Sequence, residues 1–83
     1  MQYDLFTARS ATQAQRMARV LGSGGIRAVV QRLPVELARQ GCAYGVRVDT
    51  REHEAAMRRL RQMKLRPERV FRHDDMGYRE VTI

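Results

Sequence analysis

The apolar residues of this chain change their spacing twice, from every second residue to every third or fourth, and this double switch narrows the possible folds more than any single motif does. Tyr3 and Leu5 alternate with Asp4 and Phe6 in residues 2–7, as in a first strand. Ala14, Met17, Ala18 and Leu21 then recur at helical spacing, with Gln15, Arg16 and Arg19 on the opposite face. Ser10, three residues before Gln13, has the form of a capping box at the start of that helix. Gly22-Ser23-Gly24-Gly25 ends it. These glycines follow a helix instead of preceding one, so they read as a C-cap and return, not as a phosphate loop. Ile26, Ala28 and Val30 alternate again as a second strand, and Val29 leaves its outward face partly apolar.

The second half repeats the order. Residues 33–40, with Pro34 near their start, have room for no more than about two helical turns. They deliver the chain to Gly41-Cys42 and a third strand in which Tyr44, Val46 and Val48 alternate with Gly45 and Arg47. Asp49 and Glu52 repeat the capping-box form, and Ala56, Met57, Leu60 and Met63 supply the stripe of a second helix. Pro67 closes that region. Val70 and Phe71 carry a fourth strand, residues 74–77 a turn, and residues 78–83 a last strand. The expected fold is α+β: a ferredoxin-like split βαβ domain, β-α-β-β-α-β with an additional C-terminal hairpin strand. Two helices then lie on one face of an antiparallel sheet, in a single domain over residues 1–83. Right-handed crossovers set the third strand beside the first. The end of the first strand, the start of the first helix and the start of the third strand then share one edge of the sheet, where Cys42 is expected to face residues 7–12.

Net charge is +7, yet fifteen of the sixteen basic residues are Arg, spread from Arg9 to Arg79. The densest run, Arg58-Arg59-Leu60-Arg61, fits the outer face of a helix, so the charge reads as a solvated surface suited to acidic partner proteins. The third strand offers one aromatic residue, Tyr44, where RNA-binding sheets present a stacking cluster, so nucleic acid is not the expected partner. No apolar run approaches the roughly 20 residues that span a bilayer, and the first residues do not follow a signal-peptide pattern, so no membrane association is expected. A lone Cys with no Cys or His cluster suggests neither a disulfide nor a metal site. The expected compartment is the cytoplasm, and no cofactor is expected. His53, near a helix start, and His73, beside Asp74 and Asp75, are expected at the surface, and the internal methionines as core filler.

Cys42 carries what chemistry the sequence suggests. At a loop-to-strand junction facing a helix N-terminus, free amides and the helix dipole favour a thiolate, and Arg9, if turned inward, adds to this. The same helix end also suits a small anion. A lone Cys beside a strand is equally consistent with a small buried hydrophobe.

The chain resembles the selenium/sulfur carrier-like family of small single-cysteine bacterial domains. The resemblance is carried by the Tyr-Asp-Leu-Phe-Thr-Ala-Arg-Ser segment at residues 3–10, by Gly24-Gly25-Ile26-Arg27, by Pro34-Val35-Glu36-Leu37 and by Gly41-Cys42-Ala43-Tyr44-Gly45-Val46-Arg47-Val48. Ala43 stands where the family often has Gly. The resemblance implies that Cys42 carries sulfur or selenium as a persulfide or perselenide, received from a donor enzyme such as a cysteine desulfurase and passed to an acceptor protein. With one cysteine the chain is then a shuttle more than a turnover enzyme. Gly41, Arg9, Ser10 and Thr12 are the expected supporting residues. The alternative is a non-catalytic interaction or regulatory module that forms a homodimer through the open sheet face, where Phe6 and Val29 are expected.

Overall fold

The strand β1 (Tyr3–Ala8) is buried from Asp4 through Ala8, so a segment that alternates in sequence is covered on both faces. The computed structural model describes residues 2–38 and 43–82. After β1 come α1 (Ala11–Ser23), β2 (Ala28–Arg32), β3 (Tyr44–Asp49), a 3-10 turn (Thr50–Glu52), α2 (His53–Gln62), β4 (Val70–Asp74) and β5 (Gly77–Val81). The sheet runs β2-β3-β1-β4-β5 with every neighbouring pair antiparallel. This is the expected ferredoxin-like α+β order, with β5 added beside β4.

On the helix side, Phe6, Ala8, Val46, Val48 and Val70 pack against Ala14, Met17 and Leu21 of α1 and Ala56 and Leu60 of α2. Phe6 is 0% exposed, which corrects the expectation that it lies on the open face; emptying such a site costs about 3–5 kcal/mol. Val29, at 42% exposed, does lie on the open side, opposite Arg47. Alternation separates the two sides of β1 but does not say which one the helices cover, because Leu5 is as buried as Phe6.

Leu5 belongs to a second, smaller cluster on the far face with Leu33, Leu37 and Phe71, flanked by Tyr3 and Tyr78. Leu33 and Leu37 reach it from the connection after β2, where the amides of Leu37 and Ala38 donate to the Pro34 carbonyl at 2.9 and 3.2 Å. This is one turn. The far face is therefore roofed in part, and Gly45 permits the roof: a Cβ there would stand 2.8 Å from Leu33 Cδ2 and 3.1 Å from the Phe6 carbonyl oxygen.

Both helices end in the same hydrogen-bonded motif. Ile26 N donates to Leu21 O at 2.9 Å and Gly25 N to Gly22 O at 3.0 Å; after α2, Leu65 N donates to Leu60 O at 2.9 Å and Lys64 N to Arg61 O at 3.0 Å. The left-handed position is glycine in the first case (Gly25, φ 82°) and Lys64 in the second (φ 59°), where a side chain costs about 1–2 kcal/mol. At the N-terminal ends the two helices differ. Ser10 Oγ accepts from Gln13 N at 3.1 Å, as the capping box predicts, while the Gln13 side chain turns back to the Arg9 amide. The second box does not form: Asp49 accepts from Arg51 N at 2.8 Å in a tight Asx turn that opens the 3-10 segment, and Glu52 makes no side-chain cap.

Candidate functional site

The register places Ala8, the last residue of β1, opposite Tyr44, the first of β3, and Tyr44 opposite Arg32, the last of β2. Leu33 N donates to Ala43 O at 2.8 Å, which extends the β2–β3 ladder one pair further. Ser10 caps α1 two residues beyond Ala8, so the end of β1, the start of α1, the end of β2 and the start of β3 share one edge, as the topology predicts. Cys42 and Gly41 lie outside the described residues; the first described residue after them is Ala43.

The chemistry of the edge follows from its parts. The first turn of α1 contains no acidic side chain, and the amides of Ala11 and Thr12 precede any intrahelical acceptor, so no carboxylate of the helix itself offsets its positive end. Thr12 is exposed there. Arg9 is turned outward, its side chain 79% exposed and its Nε 2.9 Å from Glu68 Oε1. Glu68 belongs to the same edge, because its amide donates to Thr7 O at 3.0 Å and the next amide, of Arg69, donates to Thr7 Oγ1 at 2.8 Å. Tyr44 packs partly into the helix-side core with the Arg32 guanidinium 5.5 Å from its ring centre.

Two groups that sequence reasoning missed lie elsewhere. The first is centred on Asp4, which is 0% exposed and faces the helices. Thr50 Oγ1 donates to Oδ1 at 2.9 Å, His53 Nδ1 lies 2.6 Å from Oδ2, and Arg72 donates from Nε and Nη2 at 2.9 and 3.2 Å. Burial, the largest influence, pushes this carboxyl up, but the hydrogen bonds from Arg72, Thr50 and His53 together outweigh it and hold Asp4 below the usual carboxylate range. His53 is thus a half-covered partner of a buried acid, not the surface residue expected. The signal was a charged residue sharing a face with Phe6.

The second group is aromatic and lies on the far face. The His73 ring stacks on Tyr3 at 4.7 Å between centres and meets Tyr78 at 4.6 Å, and the hydroxyls of Tyr3 and Tyr78 are 2.8 Å apart. Burial first, and then the hydrogen bond with Tyr3, push Tyr78 up to about 12. His73 is therefore packed, not solvated. The sequence showed one aromatic, Tyr44, on its strand; folding gathers three rings from β1, β4 and β5, and these engage one another.

Among the described residues no group of His, Cys, Asp and Glu is arranged to hold a metal ion. No helix among them is long and apolar enough to cross a membrane. The family model described as "Putative Se/S carrier protein-like" matches residues 2–72. The chain belongs to this family. In this carrier-like domain the match runs from β1 to the middle of β4, so it includes both the α1 edge and the Gly41-Cys42 segment and leaves β5 outside. No curated protein and no solved structure matches the chain.

Proposed function

We propose that this domain is a cytoplasmic sulfur or selenium carrier in which Cys42 holds the chalcogen between a donor enzyme, of the cysteine desulfurase kind, and an acceptor protein. Family membership supports the carrier class. The observation that carries the assignment of the edge is the Ala8–Tyr44 pairing, which brings the strand that follows Cys42 to the positive end of α1, where the amides of Ala11 and Thr12 have no intrahelical acceptor.

The chemistry is a sulfur transfer without net oxidation. The Cys42 thiolate attacks the outer sulfur of the donor's persulfide. A new S–S bond forms at Cys42, the donor's S–S bond breaks, and its electron pair leaves with the donor cysteine as a thiolate. Delivery repeats the step in reverse sense, with an acceptor thiolate attacking the outer sulfur and Cys42 leaving as thiolate. Both halves require Cys42 as a thiolate, which the free amides of the first turn of α1, at Ala11 and Thr12, favour. Arg9 borders this edge, but its pairing with Glu68 at 2.9 Å largely offsets its charge there. Gly41 gives the backbone freedom to present the thiol. The chain has one cysteine, so no internal thiol can resolve the persulfide.

The test is mass spectrometry after incubation with a cysteine desulfurase and cysteine. The expected result is one added sulfur on the wild type, removed by dithiothreitol and absent from Cys42→Ser. An unlabelled wild type, or equal labelling of Cys42→Ser, excludes the reading.

A further inference from the structure

A groove of about 450 Å³ lies where α2 gives way to β4, lined by Met57, Arg61, Lys64, Leu65, Arg66 and Pro67. Its floor is apolar, since Met57 and Leu65 are half-buried against the helix-side core and Pro67 is buried. Its rim is cationic. Arg61, Lys64 and Arg66 are exposed, and among the described residues none of the three is paired with a carboxylate. Lys64 holds the left-handed position of the α2 C-cap, where the equivalent cap of α1 has Gly25. A cation is kept at a backbone position that glycine fills at lower cost, and such outliers gather at functional surfaces.

The groove belongs to the edge already described. Pro67 precedes Glu68, whose amide donates to Thr7 O at 3.0 Å and whose carboxylate holds Arg9. β3 and β4 flank β1, so the start of β3 at Tyr44 and the groove's end of β4 stand roughly 10 Å apart in strand spacings. We infer that this groove docks an acidic segment of the donor protein, a stretch with two or three carboxylates and one apolar side chain, flanking the donor's persulfide. The inference rests on the carrier reading of Cys42. Charge complementarity selects the occupant: three cations, unpaired among the described residues, surround an apolar floor whose lining includes no aromatic ring on which a nucleic-acid base would stack.

The test compares two sulfur donors on the full chain: a cysteine desulfurase supplied with cysteine, and the small persulfide of 2-mercaptoethanol, which has no segment to dock. For the R61E/K64E/R66E variant the dock requires the KM for the desulfurase to rise about tenfold at low salt, with the difference shrinking as salt is added, and the rate with the small persulfide to stay at the wild-type value. Lys64→Gly provides a variant that relaxes the backbone: its melting temperature should rise while its desulfurase KM increases by about twofold or more. Unchanged desulfurase kinetics in both variants, with the wild type labelled by both donors, overturn the dock and leave the carrier reading intact. Labelling of the wild type by the small persulfide alone means that no sulfur is taken from the desulfurase, which removes the carrier reading and the dock with it. Labelling by neither donor removes the carrier reading, and the dock with it.

Discussion

Arg72 holds the carboxylate of Asp4 from across the β1–β4 pair with two hydrogen bonds, Nε to Oδ1 at 2.9 Å and Nη2 to Oδ2 at 3.2 Å. Asp4 has no solvent exposure, so Arg72, His53 and Thr50 replace its water shell. Replacing Asp4 with Asn removes the charge and leaves Arg72 unpaired, which is expected to cost about 3 kcal/mol in urea unfolding. The folded pKa lies below the ordinary carboxylate value of 3.8, so the stabilisation is fully present above that pH and is lost as pH falls through the folded value. Stability of the wild type should therefore fall below about pH 4 more steeply than that of Asp4→Asn. Parallel acid limbs for the two proteins would show that the carboxylate is not held this way.

A methyl group at Gly45 meets Leu33 Cδ2 at 2.8 Å and the Phe6 carbonyl oxygen at 3.1 Å. Gly45→Ala should cost about 1–3 kcal/mol by lifting the 33–37 connection off the sheet. Trimming the obstacle should relieve part of this, so the Gly45→Ala penalty in a Leu33→Ala background is expected to be smaller than in the wild type. Strict additivity in the double-mutant cycle would place Leu33 elsewhere.

Tyr78 should titrate late in ultraviolet absorbance, held back to about 12. Because its folded value lies above the ordinary 10.0, the associated stability is present below pH 10 and is lost as pH rises toward 12. Tyr3→Phe removes the hydroxyl partner at 2.8 Å and should lower the Tyr78 midpoint, while burial, the larger cause, keeps it above 10.0. An unchanged midpoint would show that the hydroxyl pair contributes nothing.

Much of the fold was legible because periodicity is a local signal. Ala14, Met17 and Leu21 are buried at helical spacing as read, and the Ser10 cap forms where the motif stands. Local patterns do not report which elements meet. Asp4, Thr50, His53 and Arg72 converge across separations of 46 to 68 residues, and nothing near His53 in the sequence marks it as the neighbour of a buried acid. The same limit applies to Phe6 and Leu5, which alternation assigns to opposite faces without saying that both faces are covered. For the site, the edge that joins Ala8, Ser10 and Tyr44 follows from strand order and direction alone, whereas the outward turn of Arg9 depends on Glu68, 59 residues away.

Thr12 is exposed in a first turn that contains no acid. Thr12→Asp should stabilise the helix by about 0.3–1 kcal/mol and, by offsetting the helix's positive end, raise the pKa of a thiol facing it by roughly 0.2–0.7 units. Opposite signs for fold stability and thiol acidity are the expected signature. A stability gain with no change in thiol titration would mean that Cys42 does not sense this helix.

The most direct test of the carrier account is the rate of Cys42 alkylation by iodoacetamide in the native protein as a function of pH. A thiolate favoured by the α1 terminus should react rapidly at neutral pH, with a midpoint well below the value of about 8.5 for a free cysteine. Reaction only after denaturation, or a midpoint at or above that of the free thiol, would contradict the account.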